Sequence, residues 1–320
     1  MFPLKMRSFT GLLLIICLAG LVQAQEPVTR GRMVYYLDVP GYLEKVDKSL
    51  VDARSRLQDL LADSLDFTAE VHLVTTEEHF RKLIGDEFPD WGAAAAVPSQ
   101  NLIVVKSPDH FNIQRPLGEL MAHEYAHLAL HKRVSMGRIP RWFDEGLAMM
   151  VSAEWDMSES ATMSLAVITS GFVPLQQIEW LNNLGESRAR LAYAQSYLAV
   201  QYMYKEYGTE LVNVFLDTLD TGATLNTALL ASTGSDFADF EQEYRVYLRQ
   251  RFNILVLVMD SMYFWIIMVI IFIVGAVLTI RRRKKYYREW EEQEKLASTD
   301  FDYGDPDNPE ELDDDEPWRK

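Results

Sequence analysis

The chain has 320 residues, 48% of them hydrophobic and 24% charged, with a net charge of −16. That length supports a two-lobed domain with a sizeable core, and the acidic balance, with no basic groove of Lys and Arg outside one short run, excludes nucleic acid as a partner. Cys17 is the only cysteine, so an intramolecular disulfide is excluded as well.

In chain order, Lys5 and Arg7 precede the apolar residues 12–18, and Val22, Gln23 and Ala24 follow. These are the charged, apolar and small-residue regions of a secretory signal, 1–24, cut after Ala24 and removing Cys17 with it. Ile15 and Ile16 before Cys17 argue against a bacterial lipoprotein box. Residues 33–37 then read as a strand, 41–61 as an amphipathic helix, 69–75 as a strand, 77–84 as a helix and 102–105 as a strand. This alternation predicts an α+β fold, a small twisted sheet packed on helices. The segment 91–98, Trp-Gly-Ala-Ala-Ala-Ala-Val-Pro, carries small residues that would let an edge strand approach a substrate backbone. Beyond Glu154 the pattern is helical: 198–207 closed by Gly208, then 211–219, and a last amphipathic helix at 237–252.

The chemistry concentrates at His123-Glu124-Tyr125-Ala126-His127, an H-E-x-x-H motif. Apolar residues at helical spacing (Leu117, Leu120, Met121, Leu128) and Pro116 before them place it on a helix over 117–130. The two histidines then share one face, about one turn apart, and can share one metal ion. Glu124 sits about 100° round the helix, where a general base could reach a water without being a ligand. Burying three such groups in an apolar stripe without a partner would cost several kcal/mol, an objection that a shared cation removes. A catalytic zinc site uses three protein ligands. His131 lies about 12 Å along the axis from His123 and cannot converge on the same ion, so it reads as a helix-end histidine. Asp144 and Glu145 are the remaining candidates, in a second helix opened by Pro140, where Gly146 and Ala148 leave room for close packing.

H-E-x-x-H followed after seventeen residues by the Glu of W-x-x-E-G-x-A resembles the gluzincin branch of zinc peptidases, most closely the compact peptidase MA-like domains related to the M1 aminopeptidases. The likeness spans about residues 33–252. It implies a thermolysin/M1-like catalytic domain with a small N-terminal sheet and a helical C-terminal subdomain. It further implies one zinc per chain held by His123, His127 and Glu145, with Glu124 as base and Asp144 as a neighbour rather than a ligand. In relatives an edge strand holds the substrate, and a Tyr or His from a later helix steadies the oxyanion; Tyr193 is the choice here and Tyr197 the reserve. Some gluzincins also place an Asp four residues after the ligand Glu, where this chain has Met149, so Glu119 or Asp144 would have to orient the histidines instead. The resemblance implies peptide-bond hydrolysis of a peptide or protein substrate. No G-x-M-E-N strand for a substrate amino terminus is present, so aminopeptidase and endopeptidase action, the latter on envelope proteins, are equally open.

Residues 261–280 form a charge-free run of twenty, long enough to cross about 30 Å of hydrocarbon. Tyr263 and Trp265 mark one interface, and Arg281, Arg282, Arg283, Lys284 and Lys285 the cytoplasmic end. The peptidase domain, 25–255, is then expected outside the cytoplasm, in a bacterial periplasm or at the cell exterior, on a single-pass anchor. Residues 286–320 hold 14 acids against four bases, so the flank and tail, 281–320, end in an acidic segment expected to be disordered. A cytoplasmic partner could dock on it through Tyr303 or Trp318. Two rival classes stand beside the enzyme: a catalytically inactive metal-binding ectodomain serving as scaffold or sensor, favoured by a Tyr193 far from the metal and a closed cleft, and a metal-free helical adhesion module, favoured if His123 and Glu145 point apart.

Overall fold

Three strands rich in Val, Leu, Ile and Tyr lie side by side at the centre of the fold. In the computed structural model, which describes residues 26–85, 88, 92–135, 137–155, 157–169, 171–183, 185–252 and 262–299, these are β2 (Met33–Leu37), β3 (Ala69–Val74) and β5 (Leu102–Lys106). The signal segment with Cys17 and Ala24, Trp91, the linker 253–261 and the tail from residue 300, with Tyr303 and Trp318, lie outside the described residues. The three strands run parallel, β2 to β3 to β5, and parallel neighbours need crossovers. The crossovers contain α1 (Leu43–Leu61), entered through a 3-10 turn at Pro40–Tyr42, and α2 (Glu77–Ile84). Two further strands close the edges antiparallel: β1 (Val28–Arg30), which the sequence reading missed, on β2, and β4 (Ala94–Val97) on β5. The sheet order is β1-β2-β3-β5-β4. The small-residue segment expected as an edge strand is therefore at an edge.

Val71, Leu73, Ile103 and Val105 face the main core, which also takes Val46, Leu50, Ala53, Leu57 and Leu61 from α1. Their neighbours Val74, Leu102 and Val104 point the other way and pack with Phe80 of α2 and Ala95. The sheet is thus buried on both faces.

The helical body begins with α3 (Leu117–Arg133), just after Pro116, and α4 (Arg141–Ser152), just after Pro140. Helix α3 runs three residues beyond the expected end, and its last turn carries His131, Lys132 and Arg133, basic groups that suit the negative end of the helix dipole. Then follow α5 (Met157–Thr169), a 3-10 stretch at Leu175–Asn183, α6 (Glu186–Asp220), α7 (Leu225–Thr233) and α8 (Phe237–Arg251). The break expected at Gly208 is real: its φ of 78° and ψ of 167° interrupt the helical geometry of α6. Helix α4 lies between α3 and α6 and is buried almost throughout.

The last described element, α9 (Met262–Thr299), is 38 residues long. Within its segment Phe264–Lys295 the most apolar window of 18 residues has a mean hydropathy of 2.6 and is not buried, so the helix is long and apolar enough to cross a membrane. It also continues past Lys285 to Thr299, so residues 286–299, expected as part of a disordered tail, are helical. Glu, Gln, Lys, Leu and Ala dominate the end of that stretch, and these are good helix formers.

The packing of α4 depends on Gly146. A Cβ there would lie 2.2 Å from the Ser196 carbonyl oxygen of α6 and 2.7 Å from Val200 Cγ2. Gly to Ala inside a helix ordinarily gains about 1 kcal/mol of propensity. Gly146→Ala should instead destabilise the protein by about 1–3 kcal/mol, because the backbone of α6 has to move; a denaturant midpoint equal to or above that of the native chain would contradict this packing.

Candidate metal centre

Helix α3 is apolar on most of its circumference, with Leu120, Met121, Tyr125, Leu128 and Ala129 in the core. The turn holding His123, Glu124 and His127 faces α4 and the β4 edge. The two imidazole rings meet edge to face with centroids 4.8 Å apart. Helix α4, docked alongside, contributes Glu145. Its Oε2 lies 3.6 Å from His123 Nε2 and 3.8 Å from His127 Nε2, and the three residues offer ligand atoms within 4.8 Å of one another. His123 and Glu145 point toward each other, which removes the metal-free adhesion reading.

The opposite ring nitrogens are held by carboxylates. His123 Nδ1 is 2.7 Å from Glu154 Oε1, and His127 Nδ1 is 2.6 Å from Asp144 Oδ1. An ionised carboxylate only accepts, so Nδ1 carries the proton and the Nε2 lone pair of each ring is free to bind a cation. A second layer holds the carboxylates. Arg115 pairs with Glu154, which also accepts from Ser152 Oγ at 2.5 Å; His131 Nε2 is 3.2 Å from Asp144 Oδ2; Arg141 Nη2 is 2.6 Å from Glu145 Oε1.

The surrounding carboxylates make the pocket favour positive charge, carried by protons or by a metal cation that displaces them. Burial disfavours the imidazolium of His123, yet Glu145 and Glu154 override it and push this imidazole up to about 10. His127 rises against the same burial penalty, through Asp144 first. Conversely, Asp144 and Glu145 are held below the ordinary carboxylate range despite burial, and Glu154 down to about 2. A buried pocket that draws positive charge, lined by two imidazole nitrogens and one carboxylate oxygen, fits a zinc ion in ligand type and number. Burial moves the Glu124 carboxyl upward, beside the same ligands.

These groups open onto a cleft of about 680 Å³ bounded by Ala94–Val97 of β4 on one side and by Tyr193 of α6 and Arg141 of α4 on the other. Burial pushes the Tyr193 hydroxyl up to about 12, so it stays a donor at neutral pH. Tyr197 stacks on Trp155 with centroids 4.7 Å apart and accepts from Gln201, away from the cleft lining. The cleft is open and Tyr193 lines it, neither of which favours the inactive-scaffold reading.

A family model described as the Peptidase MA superfamily matches residues 71–250, more than half of the chain. The chain belongs to the Peptidase MA superfamily. Its His123, His127 and Glu145 triad marks the matched segment as a zinc-metallopeptidase domain. Among solved structures, the chain is similar to a mutant form of an M1 zinc metallopeptidase from Deinococcus radiodurans, with 16% identity and a TM-score of 0.39 over 70% of this chain and 51% of that one. The chain thus spans about half the length of that structure. No curated protein matches it.

Within this Peptidase MA domain, His123, Glu124, His127, Glu145 and Tyr193 all line the cleft. His131 is no ligand candidate but a partner of Asp144. Of the acids considered for orienting the histidines, Asp144 does so and Glu119 bonds neither ring. Glu154, the partner of His123, escaped the sequence reading. It follows Ala153, whose left-handed φ of 60° turns the chain back toward α3 after α4 ends, and no periodicity announces such a reversal. A carboxylate just past the second ligand helix was the one available signal.

Outer partners of metal-bound histidines typically carry 10–100-fold in affinity. Glu154→Ala and Asp144→Ala should each weaken zinc binding by about that factor while retaining the metal at saturating concentration. Glu119→Ala should leave it unchanged. Competition with a chromogenic chelator measures all three, and equal affinities for the native, Glu154→Ala and Asp144→Ala chains would refute the assignment.

Proposed function

We propose that the chain is a membrane-anchored zinc metallopeptidase that hydrolyses peptide bonds. The observation that carries this reading is the convergence of His123 Nε2, His127 Nε2 and Glu145 Oε2 in the open cleft that also holds Glu124. Zinc held by these three residues would activate a water and polarise the scissile carbonyl. Glu124, next to the ligand His123 and raised by burial, is the base that takes the water's proton and can pass it to the leaving amine. Tyr193 donates a hydrogen bond to the oxygen on which negative charge develops. Asp144 and Glu154 keep both imidazoles in the tautomer and orientation that ligation needs. The free edge of β4 offers backbone groups to an extended peptide, and its Ala side chains let that peptide come close.

The proposed layout is a signal peptide at 1–24, an extracytoplasmic catalytic domain at 25–255, a span at 261–280 and a cytoplasmic flank and tail at 281–320. The long apolar helix α9 supports the span, and Arg281, Arg282, Arg283, Lys284 and Lys285 support its orientation. The acidic tail is available to a cytoplasmic partner.

The test is metal content and cleavage of an unbiased peptide library, measured on the same preparations of the full chain in detergent. The native chain should hold one zinc and cleave. Glu124→Gln should keep the zinc and lose about 10²–10⁴-fold in rate, because a base is removed and no ligand is. Glu145→Ala should lose the metal. Tyr193→Phe should lower the rate by about 10²–10³-fold with the metal retained, the size expected for one oxyanion donor. A native chain without zinc, or a Glu124→Gln chain that cleaves at the native rate, would sink the proposal.

A further inference from the structure

A carboxylate can bind a metal through one oxygen or through both. In this site the two oxygens of Glu145 have different surroundings. Oε2 faces both imidazole Nε2 atoms, at 3.6 and 3.8 Å, whereas Oε1 accepts from Arg141 Nη2 at 2.6 Å. A charge-assisted bond of that length is among the stronger ones a side chain makes. The Glu145 side chain is only 4% exposed, so water is a poor substitute for this partner. Arg141 is also well placed to hold its position. It lies four residues before Glu145 on the same helix face, and its backbone N–H donates to Glu179 Oε1 at 2.9 Å, which fixes the first turn of α4.

We propose that Arg141 is a positioning residue that restricts Glu145 to one-oxygen ligation and thereby keeps one coordination position of the metal open. Catalytic zinc sites depend on such a position, and a two-oxygen Glu145 would occupy it. The inference rests on the zinc reading above and deepens it. It differs from simple charge balance, because a neutralising cation without this contact would leave both oxygens free to turn toward the metal.

The test uses the full chain in detergent loaded with Co(II), whose visible absorption reports coordination number, together with binding of acetohydroxamate, a small ligand that needs open positions. Arg141→Met keeps the apolar stem and removes the donors; Arg141→Ala serves as the second variant should Met not fold. Either variant should retain one metal per chain, show the weaker visible bands of a higher coordination number, and bind acetohydroxamate about tenfold or more weakly. Arg141→Lys, which keeps a cationic donor toward Oε1, should restore the native spectrum. A metal-loaded Arg141→Met with the native spectrum and native acetohydroxamate affinity would overturn the proposal. So would loss of the metal from Arg141→Met and Arg141→Ala, since Arg141 would then retain the ligand rather than limit its binding. A native chain that takes up no Co(II) would instead overturn the zinc reading itself.

Discussion

The site depends on how closely α4 can approach its neighbours. Successive residues on a helix point about 100° apart, so Glu145 and Gly146 face different directions. Glu145 is directed at α3 and its histidines, while Gly146 meets the Ser196 carbonyl of α6 with no room for a methyl group. Because α6 can come this near, Tyr193 on that helix reaches the wall of the same cleft. One missing side chain thus sets the spacing of three helices, and with it the positions of a ligand, its neighbours and a candidate oxyanion donor.

The second organising element is the arrangement of buried charge. Asp144, Glu145 and Glu154 are taken largely out of water, a costly step for isolated carboxylates. Each is compensated from two sides, by a ring nitrogen toward the centre and by His131, Arg141 or Arg115 toward the cleft. This leaves every ligand with its outer atom already bonded, so little rearrangement remains for metal binding. It also gives the cleft wall two cations, Arg141 and Arg115, that are committed to the site rather than spread along a surface groove.

Much of this was legible in the sequence, though unevenly. Strands β2, β3 and β5 announced themselves as short runs rich in β-branched and aromatic residues, and α3 and α4 by proline at the start and apolar spacing within. The two histidines, Glu124 and the choice between Asp144 and Glu145 followed from helical geometry, and the resemblance to gluzincins selected Glu145. Strand β1 went unseen because three residues at a sheet edge carry almost no pattern. Glu154 and Arg115 went unseen because loops and helix ends bring Glu154 to His123 and Arg115 to Glu154, and nothing in local spacing encodes where a loop returns. Arg141 is different: it stood in plain view one turn before the ligand, but its contact with Glu145 Oε1 depends on which oxygen faces the metal.

Helix α9 adds a mechanical consequence. Arg281, Arg282, Arg283, Lys284 and Lys285 are consecutive within one unbroken helix, so at about 100° per residue they encircle it instead of lining one side. A basic face would let the helix roll and lie along a bilayer. A complete ring gives no such option, because any inward displacement along the axis drags cations into hydrocarbon at about 2.5–3.5 kcal/mol each at the bilayer centre. In a membrane the ring would therefore act as a collar: the span remains free to tilt and rotate, while its depth is held.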